Sequence, residues 1–126
     1  MDNNNNYIPG VCNIGKEETK KRKQAGIAGL ILTILTYSLF VYFEASKGVR
    51  FLIFIPVVIS AVGFIQARMH FCAYYGLAEI FNFDSLGKSS KVENNESVKK
   101  DKKRARSIIY SAILIGIVVG LIAVMI

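Results

Sequence analysis

Residues able to carry chemistry are scarce in this chain. Among 126 residues there is one histidine, His70, with two cysteines, Cys12 and Cys72, two prolines and no tryptophan. No nucleophile–base pair can be assembled around a second histidine, and no glycine-rich phosphate loop is written anywhere. Two cysteines and one histidine also fall short of the four ligands of a structural zinc site. The expectation is a protein that is not an enzyme, with no catalytic residue, no cofactor and no metal.

Charge is missing in a more informative way. It is swept out of Ala25–Phe43, "AGIAGLILTILTYSLFVYF", out of Phe51–Ala67, "FLIFIPVVISAVGFIQA", and out of Ile108–Ile126, "IIYSAILIGIVVGLIAVMI". At ~1.5 Å per residue these windows cover about 25–29 Å, close to the ~30 Å hydrocarbon core of a bilayer. A charge at the bilayer centre costs roughly 2.5–3.5 kcal/mol even on insertion scales, so such segregation marks membrane spans. Three spans are predicted, at about 25–43, 51–67 and 108–126. With no Asp, Glu, Lys, Arg or His inside them, there is no proton relay, ion ladder or substrate counter-charge of the kind transporters carry.

The charges that are present set an orientation. Of sixteen Lys and Arg residues, five precede the first span, two (Lys47 and Arg50) lie in the first loop "EASKGVR", and nine lie between the second and third spans. Basic loops stay on the cytoplasmic side during insertion. The N-terminus and second loop are therefore expected inside, with the first loop and the C-terminus outside, in a multi-pass protein of the cell (inner) membrane. The first twenty residues, "MDNNNNYIPGVCNIGKEETK", lack the apolar region of a signal peptide, so the first span is expected to remain an uncleaved anchor. The net charge of +7 is mostly this topology signal. "KKDKKRARS" has the charge density for nucleic acid, but it abuts a span and lacks interleaved aromatics. Anionic lipid headgroups are the expected partner of these charges, and nucleic acid is not.

Along the chain, the asparagine-rich residues 1–12 read as a disordered tail ending near the turn signal "IPG", and 13–126 as one three-helix transmembrane domain. A helix is predicted from about Lys16, with Glu17 and Glu18 in its first turn and the spacing-four pairs Glu17–Lys21 and Glu18–Arg22. Pro56 is expected to bend the second span. Residues 84–100 read as a polar loop. Ser90 with Glu93 offers a capping box, and the third helix is expected to start between Ser90 and Ser97. Small residues recur at packing spacing: Ala25, Gly29 and Thr33; Ser60, Gly63 and Ala67; Ala112, Gly116 and Gly120. In lipid such stripes let helices approach closely, within one bundle first and against a membrane-protein partner or a second copy otherwise.

The segment "ARMHFCAYYGLAEIFNF", 67–83, holds the histidine, one cysteine and five aromatics. On a continuous helix at ~100° per residue, Arg68, Cys72, Tyr75, Glu79 and Asn82 share an arc of about 80°, with Phe71, Tyr74, Leu77, Ala78 and Phe81 opposite. Residues 68–83 are therefore predicted to form an amphipathic helix at the cytoplasmic interface. Its aromatics would sit among headgroups, and Gly76 offers a turning point. The fold class is accordingly all-α: three transmembrane helices plus this interfacial one.

A sharper possibility concerns the thiols. Cys12 and Cys72 both fall at the cytoplasmic face, where a stable disulfide is not expected but a redox- or metal-responsive pair is allowed, with Arg68 favouring the Cys72 thiolate. The candidate thiol and interaction face is therefore Cys12, Arg68, His70, Cys72, Tyr75 and Glu79.

Through "CNIGKEETKKRKQAG", "GFIQARMHFCAYYG" and "FNFDSLG", the chain resembles a group of small bacterial three-span membrane proteins. In that group a C-N-I-G start and a basic run precede the first span, and an F-C-x-x-[FY]-G stretch follows the second. The resemblance covers residues 12–126 and implies an architecture without a mechanism. It also implies that residues 12–15 and 70–76 meet at one face. The leading expectation is a non-enzymatic accessory, assembly or scaffold component.

Overall fold

The computed structural model describes residues 7–83 and 89–126. Of the tail 1–12 expected to be disordered, residues 1–6 lie outside the described residues, as does the loop segment 84–88, whereas residues 7–12 form a turn closed by backbone hydrogen bonds between Ile8 and Cys12. The element order is α1 (Lys16–Tyr42), α2 (Lys47–Arg50), a 3-10 turn (Phe51–Ile53), α3 (Phe54–Met69), α4 (Ala73–Ala78), β1 (Ile80–Phe81), β2 (Ser90–Lys91) and α5 (Asn95–Met125). Three helical stretches, Lys16–Tyr42, Lys47–Met69 and Asn95–Met125, are long and apolar enough to cross a membrane. Their outward surfaces are apolar: Leu30, Ile34, Leu35, Leu114 and Leu121 are all about half exposed. A surface of that kind suits lipid rather than water.

α3 lies between α1 and α5 and packs on both. The α1–α3 crossing is set by small residues. A Cβ added at Gly63 would fall 2.5 Å from Gly26 N and 2.7 Å from Gly26 Cα, and one added at Gly29 would fall 2.7 Å from Ser60 N. Ser60 Oγ donates to Gly26 O at 2.9 Å across the same contact. Ala25, predicted for this seam, is exposed, and its neighbour Gly26 takes the place. One residue is ~100° of helix, which turns Ala25 away from the seam while Gly29 stays in it. On α5, Ala112, Gly116 and Gly120 all face inward. Gly116 meets Val58 and Phe54, and Gly120 meets Phe51. That ladder is used inside the chain.

Pro56 sits in the first turn of α3, where a helix has no hydrogen bond for its missing N–H to lose. The irregularity is taken up just upstream, by the 3-10 turn. α1 begins at Lys16 behind Gly15, and of the two predicted spacing-four pairs Glu18–Arg22 closes, at 2.9 Å. α5 begins at Asn95, but its cap is not the expected Ser90–Glu93 box. Ser90 is in β2, and Asn94 Oδ1 accepts from Glu96 N at 2.8 Å and Ser97 N at 3.2 Å. Asparagine is as good an N-cap as serine, and the paired asparagines mark the helix start.

The largest departure is at 68–83. α3 stops at Met69 because His70 takes a left-handed conformation (φ 52°), and α4 stops at Ala78 because Glu79 does the same (φ 65°). The continuous helix on which the polar arc was drawn does not exist. Phe71 is 0% exposed and packs with Ala73, Ala105 and Ile108, while Phe81 packs with Val92 and Val98. These rings fill protein core and are not headgroup anchors. Gly76 is no hinge either, since it allows α4 to press against Asp101 O and the Phe71 ring. Tyr74 and Leu77 remain outward, Tyr74 at 70% exposure. Beyond α4, β1 and β2 pair antiparallel, with Ile80 opposite Lys91 and Phe81 opposite Ser90.

Candidate functional site

Sequence-distant polar residues converge at the end of the helices where α1 begins, α3 ends and α5 enters the apolar stack. The organiser is the N-terminal strap, residues 7–15. It opens with a tight turn in which Ile8 and Cys12 exchange backbone hydrogen bonds at 2.9 Å, and Gly10 supplies the positive φ of 70° that this turn needs. The strap then lies along the break after α3. Asn13 N and Ile14 N both donate to His70 O, at 3.1 and 3.3 Å, while Asn82 N donates to Asn13 O and Gly15 N donates to Asn82 O, each at 2.9 Å. Residues 12–15 and 70–76 therefore meet, through Asn13, Ile14 and His70.

The Asn13 side chain adds a peptide-like pair. Its Oδ1 accepts from Cys72 N at 2.7 Å and its Nδ2 donates to Cys72 O at 3.1 Å. Asn13 and Cys72 are both buried, so these bonds satisfy groups that water cannot reach. Gln66 does the same one residue on, its Oε1 accepting from Ala73 N at 2.7 Å. The α3–α4 corner is thus held by side chains on both of its sides.

Behind this corner lies a charged cluster. Arg22 Nη2 is 2.9 Å from Glu18 Oε2, an ion pair without hydrogen-bond alignment, and Glu18 is 1% exposed. The same Nη2 donates to Cys72 Sγ at 3.1 Å, and the guanidinium stands 5.6 Å from the Tyr75 ring centre. Burial, and then the neighbouring Glu18 carboxylate, push the Tyr75 phenol above its ordinary range. Arg68, predicted to tune Cys72, is exposed, and the basic residue at the sulfur is Arg22, fifty positions earlier. His70 is exposed and its Nδ1 shares a hydrogen bond of 3.1 Å with Thr19 Oγ1. Glu79 closes α4 and accepts from Val92 N through its backbone at 2.7 Å.

The two thiols are free and face different partners. Cys12 Sγ points to Ile14 O at 3.7 Å, and burial pushes its thiol above the ordinary value. Cys72 is 2% exposed. Among the described residues, no group of three or more His, Cys, Asp or Glu is close enough to hold a metal ion.

A second anchor of the strap carried no expectation. Asp101 is 0% exposed although it stands in the basic run "KKDKKRAR". Its carboxylate accepts from the Tyr7 hydroxyl and from Gly10 N, the latter at 2.7 Å, while Arg104 Nε donates to Gly10 O at 2.8 Å. Tyr7 stacks on Phe81 at 4.9 Å between ring centres. Burial, and then the bonded Asp101, raise the Tyr7 phenol far above its normal range. The signal available in the sequence was a lone acid among lysines, about two turns before an apolar run.

What this arrangement can do chemically is narrow. Most of its donors and acceptors are directed at one another, and they fix the strap and the α3–α4 corner. No protein-family model matches this chain, and neither a curated protein sequence nor a solved structure does.

Proposed function

We propose that this protein is a non-enzymatic accessory, assembly or scaffold component of the cell (inner) membrane. It would span the bilayer three times, with its strap-capped end in the cytoplasm and its C-terminus outside. The observation that carries this reading is the inward use of the polar cluster. Asn13, Glu18, Arg22, Gln66 and Asp101 are spent on holding backbone and each other, and the outcome is a hydrogen-bonded cap on three apolar helices. A cap built this way presents a fixed outer surface, with Tyr74, Leu77, Arg68 and the lysines of α5 exposed on it. Of these, the exposed tyrosine and arginine are residue types enriched at protein contacts. The charge distribution supports the orientation, because fourteen of the sixteen basic residues lie on the capped side.

Crosslinking in native membranes, followed by identification of what co-purifies, tests the proposal. A discrete membrane-protein partner or a defined homo-oligomer supports it. A monomer that captures nothing removes its basis.

A thiol-responsive role retains one favourable observation, the Arg22–Cys72 contact at 3.1 Å. Cys12 is turned to a different partner and Cys72 is shut away from reagents, so the role would need the cap to open first. Alkylation of Cys72 in the folded protein, at a rate near that of an exposed thiol, would favour it over the scaffold reading.

A further inference from the structure

The basic residues of α5 are not spread evenly around the helix. Lys100, Lys103, Arg104 and Ser107 are spaced i, i+3, i+4 and i+7 and therefore share one face. Together with Pro9 and Gly10 they line a groove of about 370 Å³. That volume lies within the roughly 300–1,000 Å³ of small-molecule sites. The strap forms the other wall: a Cβ added at Gly10 would fall 3.2 Å from Lys100 Cβ and 3.3 Å from Lys100 O. Arg104 is held in place by its bond to Gly10 O, which uses one of the five donors of the guanidinium. Asp101, the one acid of this run, is turned into the core and bonded to Tyr7 and Gly10. Three cations and a hydroxyl thus line the groove, against one buried carboxylate behind it.

The position of the groove along α5 identifies the ligand. Ile108, the first residue of the apolar run, follows directly on Ser107. Lys100 and Ser107 are about 10 Å apart along the helix axis at ~1.5 Å per residue, so the groove reaches across a headgroup layer. An anion seated at Lys103 and Arg104 would have water on its Lys100 side and hydrocarbon on its Ile108 side. We propose that this groove binds the phosphate of an anionic phospholipid headgroup, one lipid per chain, with Lys100, Lys103 and Arg104 as its cationic contacts and Ser107 as a neutral donor. This differs from diffuse attraction to a charged leaflet, because it assigns particular lysines and excludes others. It rests on the membrane placement proposed above but requires no protein partner.

The test is native mass spectrometry of the full-length protein, released from micelles holding equal amounts of phosphatidylglycerol and phosphatidylcholine. One phosphatidylglycerol should be retained in preference to phosphatidylcholine. Lys100 and Lys103 are exposed, so Lys100→Gln with Lys103→Gln should leave thermal unfolding unchanged. The pair should lower lipid retention about 25-fold, taking roughly fivefold for each basic residue near the headgroups. Lys100→Arg with Lys103→Arg should restore it. Lys99→Gln with Lys102→Gln removes the same charge from outside the groove and should alter retention less than about twofold. Equal losses in the two Gln pairs, or equal retention of the two lipids, would overturn the site. Displacement of the lipid by millimolar inorganic phosphate would overturn the lipid source and give the groove to a soluble phosphate. A protein that retains the lipid yet captures no partner would refute the scaffold reading alone.

Discussion

Asn13 and Cys72 bond to each other as two strands of a sheet would, although one of the pair is a side chain: Cys72 N donates to Asn13 Oδ1 at 2.7 Å and Asn13 Nδ2 donates to Cys72 O at 3.1 Å. The contact joins the segment before α1 to the break after α3. Replacing Asn13 with Ala strands the buried Cys72 N–H, at a cost of about 1–3 kcal/mol, while Cys72 O keeps its bond from Gly76 N at 3.0 Å. Thermal unfolding of the detergent-solubilised protein should show the loss. Asn94→Ala, which removes an exposed helix cap, should cost less, about 0.5–2 kcal/mol. An Asn13→Ala protein as stable as the parent would show that the strap does not hold the corner.

The Glu18–Arg22 pair should behave asymmetrically. Arg22→Met leaves the Glu18 carboxylate buried without its cation, a change expected to destabilise by about 3–5 kcal/mol. Adding Glu18→Gln to that variant should recover most of the loss, because the orphaned charge is gone. Unfolding measurements on the two single variants and the double variant check this, and simple additivity would contradict it.

At the α1–α3 crossing, Gly63→Ala drives a methyl group into Gly26 and into Arg22 O, 2.8 Å from the added Cβ. Both obstacles are backbone and cannot turn aside, so a loss of about 1–3 kcal/mol is expected. Gly48, in α2, has nothing within 4 Å of an added Cβ. Gly48→Ala should stabilise by about 0.4–1 kcal/mol through the unfolded chain. The opposed signs are the readout.

Tyr7 supplies a pH dependence. Its folded pKa lies above the ordinary value of 10.0, so above that pH the folded protein keeps a proton that the unfolded chain has released. The contribution is fully present below about pH 10 and is lost as the pH climbs beyond it. The parent should lose stability faster than Tyr7→Phe in that range. One proton sets a ceiling of about 1.4 kcal/mol per pH unit, reduced by solvent screening of a partly exposed ring. Parallel stability curves for the two proteins would contradict the Tyr7–Asp101 bond.

The three long helices were legible because charge segregation is a bulk property that tolerates small errors of register. The α5 ladder was legible for a related reason, as small residues four apart stay on one face wherever the helix begins. The Ala25–Gly26 slip shows the limit of that reasoning, since two adjacent small residues cannot be ranked without the partner helix. Residues 68–83 failed for a different reason. The arc of Arg68, Cys72 and Glu79 presupposes helical φ and ψ throughout, while His70 and Glu79 take left-handed conformations, for which histidine is a weak signal and glutamate none. Their stabilisation comes from Asn13, Gln66 and Val92, which lie far off in the sequence or beyond the segment. Arg22 reaching Cys72 was invisible for the same reason. Asp101 could have been noticed, because an acid placed alone in a basic run has to find its own reason to be there.

Orientation is the claim on which the scaffold role and the headgroup groove both depend. It is tested most directly by placing a cysteine at the C-terminus, Ile126→Cys in a Cys12→Ser, Cys72→Ala background, and treating intact cells with a membrane-impermeant maleimide. A parallel variant carries its cysteine at Lys91, an exposed position on the capped side. The expected result is labelling of residue 126 in intact cells and of residue 91 only after permeabilisation. Labelling of residue 91 in intact cells, with residue 126 protected, would put the capped end outside and contradict the orientation.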